Sequence, residues 1–303
     1  MNLETLISLL GIYLFIAVGF GAKWTFKDKI DDRTITLLSV YFLQIFLTFW
    51  GLLKRPIDTE LLLAPSVYLA ITIISLLLMI PLSKLLFSDT KERSIATVAA
   101  LIGNTGNLGI PLGIAMFGEQ SVPYMTLINL VNVFVVYTIG VYYYSRGEFS
   151  VRASLMNILK LPVLWAAMVA ITLNLIGYHP SEAVDKTLMM GAYASMTMQL
   201  VLFGIYLYGT KLGEISIRLS VWVSGTKFIL IPALAWVVLG YVDMESSVKG
   251  MVFLELIVPL AVANVNLASL YNCAPRTMTI QVFITSVLFL GIAFILPLIL
   301  KTF

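Results

Sequence analysis

Two asparagines three residues apart, Asn104 and Asn107, sit in the stretch LIGNTGNLGIPLGIAMFG (101–118) with five glycines and Pro111. Amides at this spacing share a helix face and supply hydrogen bonds without a fixed charge, which suits an anion that must be released again. Pro111 lacks an N–H and collides with the carbonyl four residues back, so a helix here is expected to break near Asn107. The N-terminus of the following half-helix would then offer unpaired N–H groups and partial positive charge. Gly103, Gly106, Gly109 and Gly113 fall near one face and admit close backbone approach. A second run, MVFLELIVPLAVANVNLASLY (251–271), carries Pro259, Asn264 and Asn266. The predicted substrate site is therefore Asn104, Asn107, Gly109, Pro111, Pro259, Asn264 and Asn266. The competing reading is that glycine and proline here serve only packing and kinking.

Charges within apolar runs are functional candidates because each is costly in a bilayer. Lys227 and Glu255 stand out; a structural pair and a role in substrate or cation coupling are both open, and Lys227 is also near enough to an end of its span to snorkel. Thr126, Asn129 and Asn132 are expected to brace the broken segment or complete a cation site. Nucleophilic and metal chemistry have little to work with: the chain has one histidine, His179 before Pro180, one cysteine, Cys273, and no HExxH or Walker motif. No metal, bound cofactor or nucleic acid partner is expected.

The elements that must hold these residues are membrane spans. Hydrophobic residues make up 60% of the 303, charged residues 12%, and mean hydropathy is +0.98. Runs able to cross a bilayer, which takes about 20 helical residues, are read at 3–22, 34–53, 61–87, 94–117, 122–144, 156–177, 187–209, 217–241, 249–271 and 276–300. Thirteen of the nineteen Lys and Arg residues, from Lys23 to Arg276, follow odd-numbered spans. Those loops are expected in the cytoplasm, both termini outside, and the first span retained as a signal anchor in an inner or plasma membrane. The run Tyr142, Tyr143 and Tyr144 before Arg146 reads as an interfacial anchor.

Ten spans invite a search for repeats. Gln44 and Gln199 are 155 residues apart, Pro123 and Pro275 152, and Pro111 and Pro259 148. Similar offsets suggest a first five-helix repeat at 1–150 and a second at 151–303, inverted because five is odd. Such copies can exchange conformations around one central site.

The block NTGNLGIPLGIAMFG resembles the hallmark helix of the auxin efflux carrier family of membrane transporters, which includes plant auxin carriers and bacterial carriers of malonate-like acids. GTKFILIPALAWVV (225–238) and VPLAVANVNLASLYN (258–272) are similar to further family segments. The resemblance implies an all-α protein of ten transmembrane helices in a 5+5 inverted repeat. It also implies a scaffold bundle of helices 1, 2, 6 and 7 and a mobile transport bundle of helices 3 to 5 and 8 to 10, with the broken helices 4 and 9 crossing at Pro111 and Pro259 and homodimerisation through the scaffold. Many relatives carry proline where this chain has Gln44 and Gln199, so these glutamines are candidate cavity-lining residues. The long cytoplasmic loop of plant carriers is missing.

The implied activity is secondary transport of a small organic anion, auxin-like or dicarboxylic, by alternating access of an elevator type. The runner-up is a sodium-coupled symporter similar to bile acid carriers, with Na+ or H+ coupling through Glu255. An intramembrane enzyme lacks a nucleophile with its base, and a channel has no need of an inverted repeat. A cysteine placed at position 2 in a Cys273-free background should label from outside the cell; protection there would reverse the orientation.

Overall fold

A computed structural model describes residues 3–145, 156, 159–209 and 216–300, and they form helices with no strand among the described residues. The loop cations Arg146, Arg152 and Lys211 lie outside this set. The elements are α1 (Leu3–Phe26), α2 (Asp32–Leu53), α3 (Thr59–Leu86), α4 (Thr90–Val98, continued by the turn Ala99–Leu101), α5 (Thr105–Phe117) and α6 (Glu119–Tyr144). After these come α7 (Pro162–Leu175), α8 (Glu182–Gly209), α9 (Ile217–Tyr241), α10 (Ser246–Ile257), α11 (Ala263–Leu270) and α12 (Pro275–Ile299). Six of them, α2, α3, α6, α8, α9 and α12, are long and apolar enough to cross a membrane. Large apolar side chains on their outer faces, such as Leu77, Val221 and Ile229, are well exposed, which requires lipid rather than water around them.

The sequence places a break near Asn107, but the chain leaves helical geometry earlier, at Ile102–Asn104. Pro111 is tolerated as the second residue of the α-helical part, Ile110–Phe117, directly after a wide π turn at Thr105–Gly109. Near a helix start the missing N–H costs little, and the wide turn moves the carbonyl with which the ring would collide. The same arrangement recurs in α9, where a π turn at Thr226–Leu230 precedes Pro232. Between α10 and α11 the interruption falls at Val258–Val262, around Pro259, where the sequence predicts it.

The chain forms two compact units. The first comprises residues 1–63, 106–127 and 159–209, and α1, α2, α7 and α8 dominate it. Here α1 and α8 pack backbone to backbone. A Cβ on Gly19 would sit 1.9 Å from the carbonyl oxygen of Val201, and one on Gly204 would sit 1.9 Å from that of Ile16. In a bilayer, helices gain little from hydrophobic expulsion, so close contact between small residues carries their association. The end of α2 is held by Asn174 of α7, whose amide donates to the carbonyls of Leu52 and Arg55 at 2.7 Å each and accepts from the N–H of Ile57 at 2.9 Å. Asp58 then caps α3, accepting from the N–H of Leu61 at 2.7 Å and from Arg55 at 2.7 Å. These bonds hold its carboxyl below the usual range.

The second unit comprises residues 64–105, 128–158 and 210–303. Its core joins Ile95, Val98 and Ile102 to Val135, Leu219, Leu260, Leu267 and Met278. The indole of Trp222 donates to the carbonyl of Ala96 at 2.9 Å, fastening α9 to α4.

Gly19→Ala and Gly204→Ala should each lower thermal stability in detergent by about 1 to 3 kcal/mol or more, because the new methyl meets backbone that cannot rotate away. Gly11→Ala, with nothing within 4 Å of the added Cβ, should be near neutral. Equal effects at Gly11 and Gly204 would refute the close packing.

Candidate functional site

Inside the second unit the two interruptions meet as antiparallel chain. Gly103 and Leu260 form a β-bridge. The N–H of Asn104 donates to the carbonyl of Pro259 at 2.8 Å, and the N–H of Ala261 donates to that of Ile102 at 3.0 Å. Each broken helix thus supplies acceptors for the donors of the other, which answers the requirement that no backbone group be left unpaired in hydrocarbon. Gly103 fits this approach tightly: a Cβ there would lie 3.2 Å from a Val258 methyl and 3.1 Å from the Lys227 ammonium.

Side chains from surrounding helices take up the remaining carbonyls. Asn132 of α6 donates to the Gly103 carbonyl and to the Thr105 hydroxyl, both at 3.0 Å, and accepts from the hydroxyl of Tyr68 at 3.2 Å. Thr105 donates to Asn129 at 2.8 Å. Asn264 of α11 donates to the carbonyls of Ile102 at 3.0 Å and Ala261 at 3.1 Å, and accepts from Tyr144 at 2.8 Å. Lys227 of α9 does not snorkel. It is 1% exposed, and its ammonium donates to the Ala100 carbonyl at 3.1 Å.

These bonds sort the residues singled out from sequence. Asn132 and Asn264 are saturated struts of the crossing. Asn129 and Asn132 do brace the broken segment, whereas Thr126 belongs to the first unit, where its hydroxyl packs against Gly51 of α2. Asn266, two residues beyond Asn264 on α11, points elsewhere and is exposed. Asn104 is buried and its amide has no hydrogen-bond partner among the described residues. Asn107 is the one residue of 101–113 that keeps partial exposure; it falls, with Gly109 and Pro111, in the first unit. Pro259 sits opposite Asn104, so the counterpart of Pro259 across the bridge is an asparagine and not Pro111.

Gln44 and Gln199 bond to each other. Gln199 donates to the Gln44 side-chain oxygen and to Ser195, both at 3.0 Å, and both glutamines are buried. Sequence reading overlooked Tyr68, Thr105 and Tyr144. Tyr144, read as an interfacial anchor, is fully buried against Asn264. Consecutive residues fall on different helix faces, so Tyr144 is buried while Tyr142 is exposed and Tyr143 half-buried.

Glu255 is wholly buried, and neither carboxylate oxygen has a hydrogen-bond partner among the described residues. Lys227 and Glu255 feel one another electrostatically without forming an ion pair within 4 Å. The two bring to the crossing an amine bonded to the broken helix and a carboxyl with no hydrogen-bond partner among the described residues.

The model of a family described as membrane transport protein matches residues 5–299. A similar curated protein is the uncharacterized transporter MJ1031 of Methanocaldococcus jannaschii, 25% identical over 198 residues, which are 62% of this chain and 62% of that protein.

Lys227→Met and Glu255→Gln should each destabilise the protein, by about 3 to 5 kcal/mol if the partner stays charged and buried. The double variant should cost less than the sum of the two, by a coupling of about 1 to 3 kcal/mol. Thermal unfolding in detergent measures all three, and strict additivity would show that the two groups act independently.

Proposed function

Because the chain belongs to the membrane transport protein family, that of the auxin efflux carriers its Asn104–Gly118 block resembles, we propose that it is a secondary carrier of a small organic anion. The anion is held at the Asn104–Asn107 segment, and transport proceeds by alternating access of an elevator type. The observation that carries this reading is the uneven use of polar groups at the crossing. The side-chain amides of Asn132 and Asn264 are spent on the crossing, while the side-chain amides of Asn104 and Asn107 have no hydrogen-bond partner among the described residues.

The two half-helix starts differ in the same way. At the start of α11 the N–H groups of Asn264, Val265 and Asn266 are bonded to the carbonyls of Ala261 and Val262. At the start of α5 the first N–H groups have no acceptor within their helix and lie beside Asn104 and Asn107. A carboxylate is the ligand such a cradle favours.

Alternating access rests on a 5+5 inverted repeat over 1–150 and 151–303, with α4–α5 and α10–α11 as its broken helices. Two observations support it. Gln44 and Gln199, matched at an offset of 155, contact each other, as equivalent residues on a two-fold axis do. The bridge bonds are also reciprocal, matching Asn104 with Ala261 and Ile102 with Pro259 at an offset of 157. The first unit, built around α1, α2, α7 and α8, is the scaffold of this reading and the surface for a homodimer, with both termini outside the cell. Coupling to Na+ or H+ is a second reading, favoured by the unpartnered Glu255 carboxylate.

Asn107→Leu should weaken stabilisation of the purified protein by its organic acid and slow uptake into proteoliposomes at least tenfold, while leaving folding intact. Normal binding and uptake would make Asn107 a helix cap and move the site elsewhere. Uptake with and without sodium, in wild type and Glu255→Gln, decides the coupling reading: unchanged ion and pH dependence in the variant would dismiss it.

A further inference from the structure

A cavity of about 260 Å³ opens in the second unit, away from the crossing. Three helix ends build it. Ile80, Ser83 and Lys84 share one face in the last turns of α3, and Thr90, Arg93, Ser94 and Thr97 form an i, i+3, i+4, i+7 stripe on α4. Tyr142 and Tyr143 close it from the end of α6. Because α3 and α6 both end here as candidate spans, the cavity lies at the boundary between hydrocarbon and water.

Its chemistry is cationic. Lys84 and Arg93 line it, and among the described residues neither forms an ion pair. The floor contributes few donors: Ser94 and Thr97 donate to the carbonyls of Thr90 and Arg93, and Ser83 and Thr97 bond to each other at 2.7 Å. The nearest acids are turned to other work. Asp89 caps α4 by accepting from the N–H groups of Lys91 and Glu92, and Glu92 lies off the polar stripe. A ligand must therefore be an anion held by an ammonium and a guanidinium above a polar floor.

The surroundings identify its source. On α3, beside the cavity, Leu77 and Leu85 are 61% and 81% exposed, an apolar surface along which acyl chains can lie. The volume is below the roughly 300–1,000 Å³ of sites that enclose a drug-sized molecule, but it suits a headgroup whose tails remain in the bilayer. Basic pockets between transmembrane helices recognise acidic headgroups in this way, and tyrosines are at home at the same depth. We infer that this cavity binds the phosphate of an acidic phospholipid headgroup, through Lys84 and Arg93. Most Lys and Arg residues share this side of the spans, so by the positive-inside rule the leaflet is the cytoplasmic one.

The test uses the purified full-length protein in neutral detergent, its thermal unfolding followed against short-chain phosphatidylglycerol, short-chain phosphatidylcholine and inorganic phosphate. Phosphatidylglycerol should stabilise saturably, and the other two should not do so at the same concentrations. Each cation near an anionic lipid is worth about fivefold, so Lys84→Gln with Arg93→Gln should raise the half-saturating concentration about 25-fold. Lys29→Gln, a loop cation of the first unit, should leave it unchanged. An unchanged response in the double variant, or an equal loss in Lys29→Gln, would overturn the proposal, as would stabilisation by phosphate alone, which marks a site for soluble anions. Should the double variant fail to fold, the single variants decide, with a fivefold loss expected from each. Native mass spectrometry of the wild type must also retain phosphatidylglycerol over phosphatidylcholine, and equal retention would sink the idea.

Discussion

Two helices that stop inside hydrocarbon leave donors and acceptors that water cannot reach, and the second unit is arranged around pairing them. The bonds from Asn104 to Pro259 and from Ala261 to Ile102 satisfy one donor and one acceptor on each side. An unpaired backbone group in lipid costs several kcal/mol, so the crossing must be antiparallel, close and in this register. Gly103 follows from the closeness, and Lys227, Asn132 and Asn264 follow from the carbonyls that the bridge alone cannot serve. Tyr68 and Tyr144 follow in turn, since amides held in one orientation need donors for their own oxygens.

This hierarchy separates polar groups that build the crossing from those it leaves over. A buried amide whose bonds are all made within the crossing is a strut, and replacing it endangers the fold before any ligand is considered. The side chains of Asn104 and Asn107 and the Glu255 carboxyl are among the leftovers, with the hydroxyls of Ser75 and Ser224 and the Gln281 side-chain oxygen, and leftover polarity in an expensive environment is where ligand or ion recognition is to be sought. The first unit is built differently. Its helices meet closely at Gly19, Gly204 and Gly51, with buried Gln199 of α8 bonded to Gln44 of α2 and to Ser195; side chain to backbone bonds around Asn174 and Asp58 hold its helix ends.

Much was legible in the chain alone. The all-helical membrane class, the runs that became long helices, the interruption at Pro259, and the singling out of Lys227 and Glu255 as ionisable groups in apolar helices all follow from local rules: hydropathy over a bilayer thickness, a proline without an N–H, a charge where water is missing. The family, too, was readable from one glycine-rich, asparagine-bearing block. The position of the first break was not, because a proline near a helix start can be absorbed by a π turn, and the sequence rule does not say whether a helix begins before or after it. Only the tertiary structure decided that Asn132 and Asn264 are struts, that Gln44 meets Gln199, and that Tyr144 is buried while Tyr142 is not. The reason is that a hydrogen bond is a property of two groups. Spacing along a chain determines which face of its own helix a side chain occupies, but which distant carbonyl or amide waits there is set by how the helices pack.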